Sequence, residues 1–194
     1  MDSEDAAPEL PPYSLDVQAM DLGPGVKAVG LELIETESRE PLRGEEAAAI
    51  WSNALMALAG TEPYVVDFFS HLDRVRDFAT SHAIAIREAA ARCVVVPQPS
   101  KELLRVLVSR FESETFGLRV GPAAANGDPP LENELSHRGL DAYQPAYSRY
   151  TCCAICEPSD GWVTLLSETL WPSEIIRRLR PALQAYDVYI ARPQ

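Results

Sequence analysis

Lysine is nearly missing from this chain: Lys27 and Lys101 stand against 15 arginines, a bias of the kind that nucleotide composition imposes. Long apolar runs are missing too. The longest are of the kind Val94-Val95-Val96 and Trp162 to Leu166, far short of the roughly 20 residues that a membrane-spanning helix needs. The opening residues Met1-Asp2-Ser3-Glu4-Asp5 are acidic, whereas a secretory signal begins basic and continues apolar. These absences predict a cytoplasmic protein with no membrane partner. A nucleophile elbow, a Walker A loop, a GxGxxG, an HExxH and an EF-hand loop are also absent. Gly23-Pro24-Gly25 precedes a strand pattern instead of following one, so it is not a phosphate loop. No cofactor is expected.

Positive charge is scarce and negative charge is concentrated. The net charge is −12. Residues 1–46 hold 12 acids and 3 bases, a net of −9, which leaves only −3 for the remainder. A nucleic-acid binder needs a concentrated basic face to release counterions. Near the end of the chain Arg177, Arg178, Arg180 and Arg192 are offset by Glu174 and Asp187, so that patch is modest. No nucleic-acid partner is expected, and a basic protein partner is.

What is present is an ordinary globular composition. Apolar residues are 46% and charged residues 24% of 194 positions, enough for one domain with a core. Residues 1–25 read as an acidic tail with Pro8, Pro11, Pro12 and Pro24, mobile or laid on the domain, and 26–194 as a single domain. Within the tail, Leu10, Tyr13, Leu15, Val17 and Met20 are the available anchors.

Apolar spacing then divides the domain. Val26 to Glu35 reads as a strand, and Glu45 to Ala59 as a helix striped by Ile50, Trp51, Ala54, Leu55 and Leu58. Thr61, Glu62 and Pro63 resemble a helix start, and Val65, Phe68, Leu72, Val75 and Phe78 recur at helical spacing to about Thr80. Helix is expected to resume after a break near Ser81. Cys93 to Val96 is a β-branched run, Ser100 caps a helix over Leu103, Leu104, Leu107 and Val108, and Thr115 to Val120 reads as a strand. Gly121 to Tyr147 is a long irregular stretch, of the sort usually found to be functional or mobile. Ser148 to Glu157 and Gly161 to Ser167 flank Pro158-Ser159-Asp160-Gly161, which has the residues of a tight turn. Pro172 and Ser173 open a last helix, which Pro181 should kink or restart, and Asp187 to Ala191 closes with a strand. The expected class is α+β, a mixed or antiparallel sheet packed with about four helices. Apart from one extra hairpin strand, the order in residues 92–192 is the βαββαβ of a ferredoxin-like sandwich.

Two sets of residues can carry chemistry. Cys152-Cys153-Ala154-Ile155-Cys156 contains a CxxC pair, and Cys93 and His137 are the residues available to complete a metal set. A redox CxxC normally sits at a helix N-terminus, whereas this one falls in a strand. There Cys152, Ala154 and Cys156 share one face and Cys153 and Ile155 the other, so the simplest account is reduced cysteines that pack a buried strand. The long loop carries Glu132, Glu134, His137, Arg138, Asp141, Tyr143 and Tyr147. His137, Arg138, Asp141 and Tyr143 are the candidates for acid–base chemistry, against a solvated polar loop as the simpler account. The leading functional reading is a non-catalytic interaction module, an adaptor, chaperone or inhibitor of a basic partner. The alternative is a small enzyme or ligand-binding domain with a site between the 121–147 loop and the cysteine-bearing sheet.

Overall fold

The structure, a computed structural model, describes residues 10–21, 27–68, 72–90, 93–110, 115–125 and 147–191. The protein is α+β. Among the described residues nine strands form one mixed sheet: β1 (Tyr13–Asp21), β2 (Lys27–Glu35), β3 (Tyr64–Phe68), β4 (Arg87–Ala90), β5 (Cys93–Val96), β6 (Phe116–Val120), β7 (Cys152–Glu157), β8 (Trp162–Leu166) and β9 (Val188–Ala191). Their spatial order is β4-β5-β3-β6-β7-β8-β2-β1-β9. Every neighbouring pair is antiparallel except β1 and β9, which are parallel at one edge.

Among the described residues five helices accompany the sheet: α1 (Gly44–Ala59), α2 (Leu72–Ser81), α3 (Lys101–Arg110), α4 (Pro122–Ala125) and α5 (Pro172–Leu183). The apolar stripes of α1, α3 and α5 bury against one face of the sheet, through residues such as Trp51, Leu104 and Leu179. Strand residues of matching parity meet them: Leu15, Leu31, Val66, Leu118, Ala154 and Leu165. The opposite face carries a second, smaller cluster of Val65, Cys93, Val95, Cys153, Ile155 and Leu166, with Ala124 of α4 against it. A void of about 10 Å³ among Leu55, Leu104, Leu118 and Cys152 is too small for a ligand, so the helix-bearing side is a packed core.

Side chains lock the helices in place. Arg178 Nη1 donates to the Leu58 carbonyl near the end of α1 (3.2 Å), and Asn53 Nδ2 to the Tyr186 hydroxyl (2.6 Å). Ser100 caps α3 as its sequence implies, accepting from the Leu103 N–H at 3.2 Å. The hairpin between β7 and β8 also matches its sequence: a 3-10 turn at Pro158–Asp160 ends on Gly161 in the left-handed region.

Three expectations fail, each because pairing with another strand overrides the local reading. The stretch Thr61 to Thr80 is not one helix: Tyr64–Phe68 is β3, and the helix begins only at Leu72. The spacing of Val65 and Phe68 suits either period. The Tyr-Val-Val run after Pro63 favours strand, and β5 and β6 satisfy its backbone on both sides. Residues Arg87–Ala90, expected as resumed helix, pair with β5 as β4. Tyr13–Asp21, placed in a tail without strand period, is an inner strand between β2 and β9. In it Leu15 and Val17 face the helices while Ser14, Asp16 and Gln18 take the other parity. The strand and helix order expected from Cys93 on is present, with one extra hairpin strand, but those strands do not form a sheet of their own. β3 lies between β5 and β6, and β2 and β1 lie between β8 and β9. At Pro181 α5 runs on to Leu183 and tightens into a 3-10 turn at Gln184–Tyr186. The N–H that proline lacks is removed only from the last turn.

On the face away from the helices, the Trp162 indole lies over Gly30 and donates to Thr164 Oγ1 at 2.8 Å. A Cβ at Gly30 would fall 2.5 Å from Trp162 Cζ2 and 3.1 Å from the Met20 sulfur. Gly30→Ala is therefore expected to displace the indole, break its hydrogen bond and cost roughly 1–3 kcal/mol. Urea unfolding followed by tryptophan fluorescence measures this, and an unchanged midpoint would refute the close packing.

Candidate functional site

Two constellations stand out, one sealed and one open. The sealed one lies on the opposite face of the middle strands. Val65 pairs with Arg119 and Asp67 with Gly117 across β3 and β6. Gly117 presents no side chain between Arg119 and Asp67. Arg119 Nε donates to Asp67 Oδ2 at 2.8 Å and Nη2 to Oδ1 at 2.7 Å, a two-pronged pair. Nη1 donates to the Tyr150 hydroxyl at 3.0 Å, and the guanidinium lies 5.5 Å from the Tyr150 ring centroid. The Cys93 thiol donates to Asp67 Oδ1 at 3.0 Å. Asp67 and Arg119 are each 1% exposed.

Tyr150 is placed by a knot of backbone contacts where the long excursion after β6 returns to the sheet. Thr151 N–H donates to the Val120 carbonyl at 2.7 Å, and Ser167 Oγ donates to the Thr151 carbonyl at 2.6 Å. Thr151 Oγ1 donates to Glu62 Oε2 at 2.5 Å. Gly121, at φ +139°, sits so close that a Cβ there would fall 2.9 Å from the Thr151 nitrogen.

Sequence reasoning passed over Asp67, Arg119 and Tyr150. The available signal was one charged residue inside each of two apolar runs, Val65-Val66-Asp67-Phe68 and Leu118-Arg119-Val120. In strands buried on both faces, opposite charges of this kind are each other's natural partners.

The cysteines behave as their strand parity dictates. Cys152 and Cys156 lie with the helix-side cluster and Cys153 with the opposite one, so the CxxC pair of Cys153 and Cys156 is split across the sheet. All four cysteines are buried free thiols. Burial pushes Cys152 up to about 12, and it raises Cys153 and Cys156 as well. Among the described residues no three His, Cys, Asp or Glu side chains group as metal ligands. His137, Arg138, Asp141 and Tyr143 lie outside the described residues.

The open constellation sits where β2 ends and β1 and β9 begin. Tyr13 pairs with Glu35 on one side and Val188 on the other. Leu10, Pro11, Pro12, Tyr13, Glu35, Glu37 and Asp187 line a groove of about 810 Å³ there. A tight turn fixes its acidic wall. Arg39 (φ 60°) returns its N–H to the Glu35 carbonyl at 3.0 Å, Thr36 N–H donates to the Pro12 carbonyl at 2.9 Å, and Ser38 Oγ donates to Glu35 Oε2 at 3.0 Å. Asp187 is held in the left-handed region at φ 52° as the chain turns into β9. The Glu46 carboxylate accepts from Tyr13 and, with Glu35 near, raises the tyrosine above its ordinary value.

Arg39, in the same turn, is engaged with Asp16 at 3.3 Å. Among the described residues no arginine or lysine pairs with Glu35, Glu37 or Asp187. The groove therefore presents uncompensated negative charge beside apolar side chains, a surface suited to holding a cation that carries an apolar neighbour.

No protein-family model matches the chain, and neither a curated protein nor a solved structure matches it. No helix among the described residues is long and apolar enough to cross a membrane.

Arg119→Met, which strands Asp67, is expected to destabilise the fold by roughly 3–5 kcal/mol, and the double change Asp67→Leu with Arg119→Met by less than the two single changes together. Urea midpoints of the three variants decide it; strict additivity would mean that the pair is not coupled. The thiols give a pH prediction. Folding holds Cys152 protonated up to about 12, whereas the unfolded thiol releases its proton near ~8.5. The Cys152 contribution is thus complete below ~8.5 and declines as pH rises from there toward about 12. Removing that thiol by Cys152→Ala should flatten the alkaline limb of a plot of unfolding free energy against pH.

Proposed function

We propose that this protein is a non-catalytic interaction module that holds a basic segment of another protein at the acidic end of its sheet. One observation carries the reading: Glu35, Glu37 and Asp187, from distant parts of the chain, converge on an open groove in which no described arginine or lysine pairs with them. Glu32, Glu37 and Glu40 add negative charge along the end of β2 and the turn that follows it. Such a field speeds encounter with a basic partner and makes the complex salt-sensitive. Leu10, which is 74% exposed, and the rings of Pro11 and Pro12 supply apolar contact beside the charges.

Exposed charges at a rim contribute roughly 0.2–1 kcal/mol each. The triple variant Glu35→Gln, Glu37→Gln, Asp187→Asn should therefore weaken the complex by about 0.6–3 kcal/mol, roughly 3- to 160-fold. The full chain, used as bait in native lysate at low salt, should retain a stoichiometric basic protein that elutes as salt is raised and that the variant holds less well. Recovery of no such partner, or equal retention by the variant, would refute the reading.

A further inference from the structure

The sheet has two edges, and they differ. β4 carries exposed Arg87 and Glu88, an irregular register between Glu88 and Ala90, and an ion pair from Glu88 to Arg76 at 2.6 Å. These are devices that keep a strange strand from pairing there. β9 has none of them. Its four residues, Val-Tyr-Ile-Ala, include no charge and no proline, and its register with β1 is unbroken from Val188 to Ala191. Val188 and Ile190 pack toward the helices, and Tyr189 is 56% exposed on the other face. Among the described residues no strand pairs with the outer side of β9. Every second residue there turns its N–H and C=O outward.

We propose that the outer edge of β9 takes up an extended segment of a basic protein as an additional strand. This rests on the reading of the acidic groove and says how that surface is used. Strand addition satisfies the outward backbone groups, while alternate side chains of the incoming segment meet either Tyr189 or the acidic surround. The surround selects the occupant. Asp187 adjoins the start of β9, and Glu35 pairs in register with Tyr13, whose other neighbour is Val188. A second copy of this chain, with its net charge of −12, would bring like charge to that rim. A segment that alternates basic and apolar residues brings the opposite charge and an apolar contact for Tyr189.

The test uses the full chain and two fluorescent probes, an acetylated hexapeptide of alternating lysine and valine and the same peptide N-methylated at alternate backbone nitrogens. Anisotropy at low salt is expected to show the parent peptide bound and the methylated one weakened by roughly tenfold or more, one lost hydrogen-bonded strand partner being enough for that factor. With the parent peptide, amide exchange should slow at Val188–Ala191 and not at Arg87–Ala90. Tyr189→Lys should weaken the parent peptide several-fold and leave the thermal midpoint unchanged.

Equal binding of both peptides, still sensitive to Glu35→Gln, Glu37→Gln, Asp187→Asn, would overturn strand addition and leave the acidic reading standing. Binding of neither would overturn both. A dimer in light scattering that Tyr189→Lys dissociates would assign the edge to a second copy and overturn the basic occupant.

Discussion

Burial of the middle strands on both faces is the constraint on which the rest of this structure depends. Every residue of β6 is buried, as are the first five of β7. A polar side chain in such a strand has no water to turn to, so it must find its partner within the protein. Asp67 and Arg119 meet that demand on adjacent strands, and their two-pronged geometry fixes how β3 and β6 align. A one-residue slip of β3 would send Asp67 into the helix-side core and Val66 toward the guanidinium. The pair is thus better understood as a device of register than as a source of net stability, since apolar residues of the same volume often serve stability as well. Tyr150 extends the device. Its hydroxyl accepts from Arg119 only because Thr151 is pinned to Val120, Ser167 and Glu62, so the return of the long excursion and the alignment of the sheet reinforce each other.

The same constraint explains the cysteines. A strand packed on both faces favours small apolar side chains, and Cys152, Cys153, Ala154 and Cys156 supply them between helices on one side and Arg119 and Ile155 on the other. Alternation sends neighbouring cysteines to opposite faces, so their closeness in sequence is not closeness in chemistry. Burial then raises the thiols above their ordinary value, as befits side chains that serve as packing.

Helices α1, α3 and α5 and the β7–β8 hairpin were legible in the sequence because each rests on local signals. Ser100 and Pro172 mark starts, Gly60 and Gly161 mark stops, and apolar stripes recur at helical spacing. β3 and β1 were not legible, because tertiary pairing decides them. Val65, Phe68 and Leu72 satisfy a helical template, and only β5 and β6 on either side reveal the strand. In β1 the alternation of Leu15 and Val17 with Ser14, Asp16 and Gln18 was present but lay among prolines and acids that read as tail. For the candidate site the acidity of residues 1–46 was visible as composition. Its union with Asp187 was not, since that depends on a parallel pairing between the first strand and the last. The buried Asp67–Arg119 pair depends equally on long-range register, and nothing near either residue names the other.

Sealed middle and open end follow from one sheet having to serve as both core and surface. Toward β3, β6 and β7 the sheet gains layers on both sides, and the buried charges there, Asp67 and Arg119, are drawn into a fixed pair. Toward β2, β1 and β9 the helices still cover one face, through Leu15, Val17, Val188 and Ile190, but the other face carries Asp16, Gln18, Trp162 and Tyr189. The charge that the middle cannot tolerate is gathered at this end, where water screens it and the backbone edge remains available. Among the described residues the β9 end is where solvent, a strand edge with no further strand beside it and acidic side chains coincide.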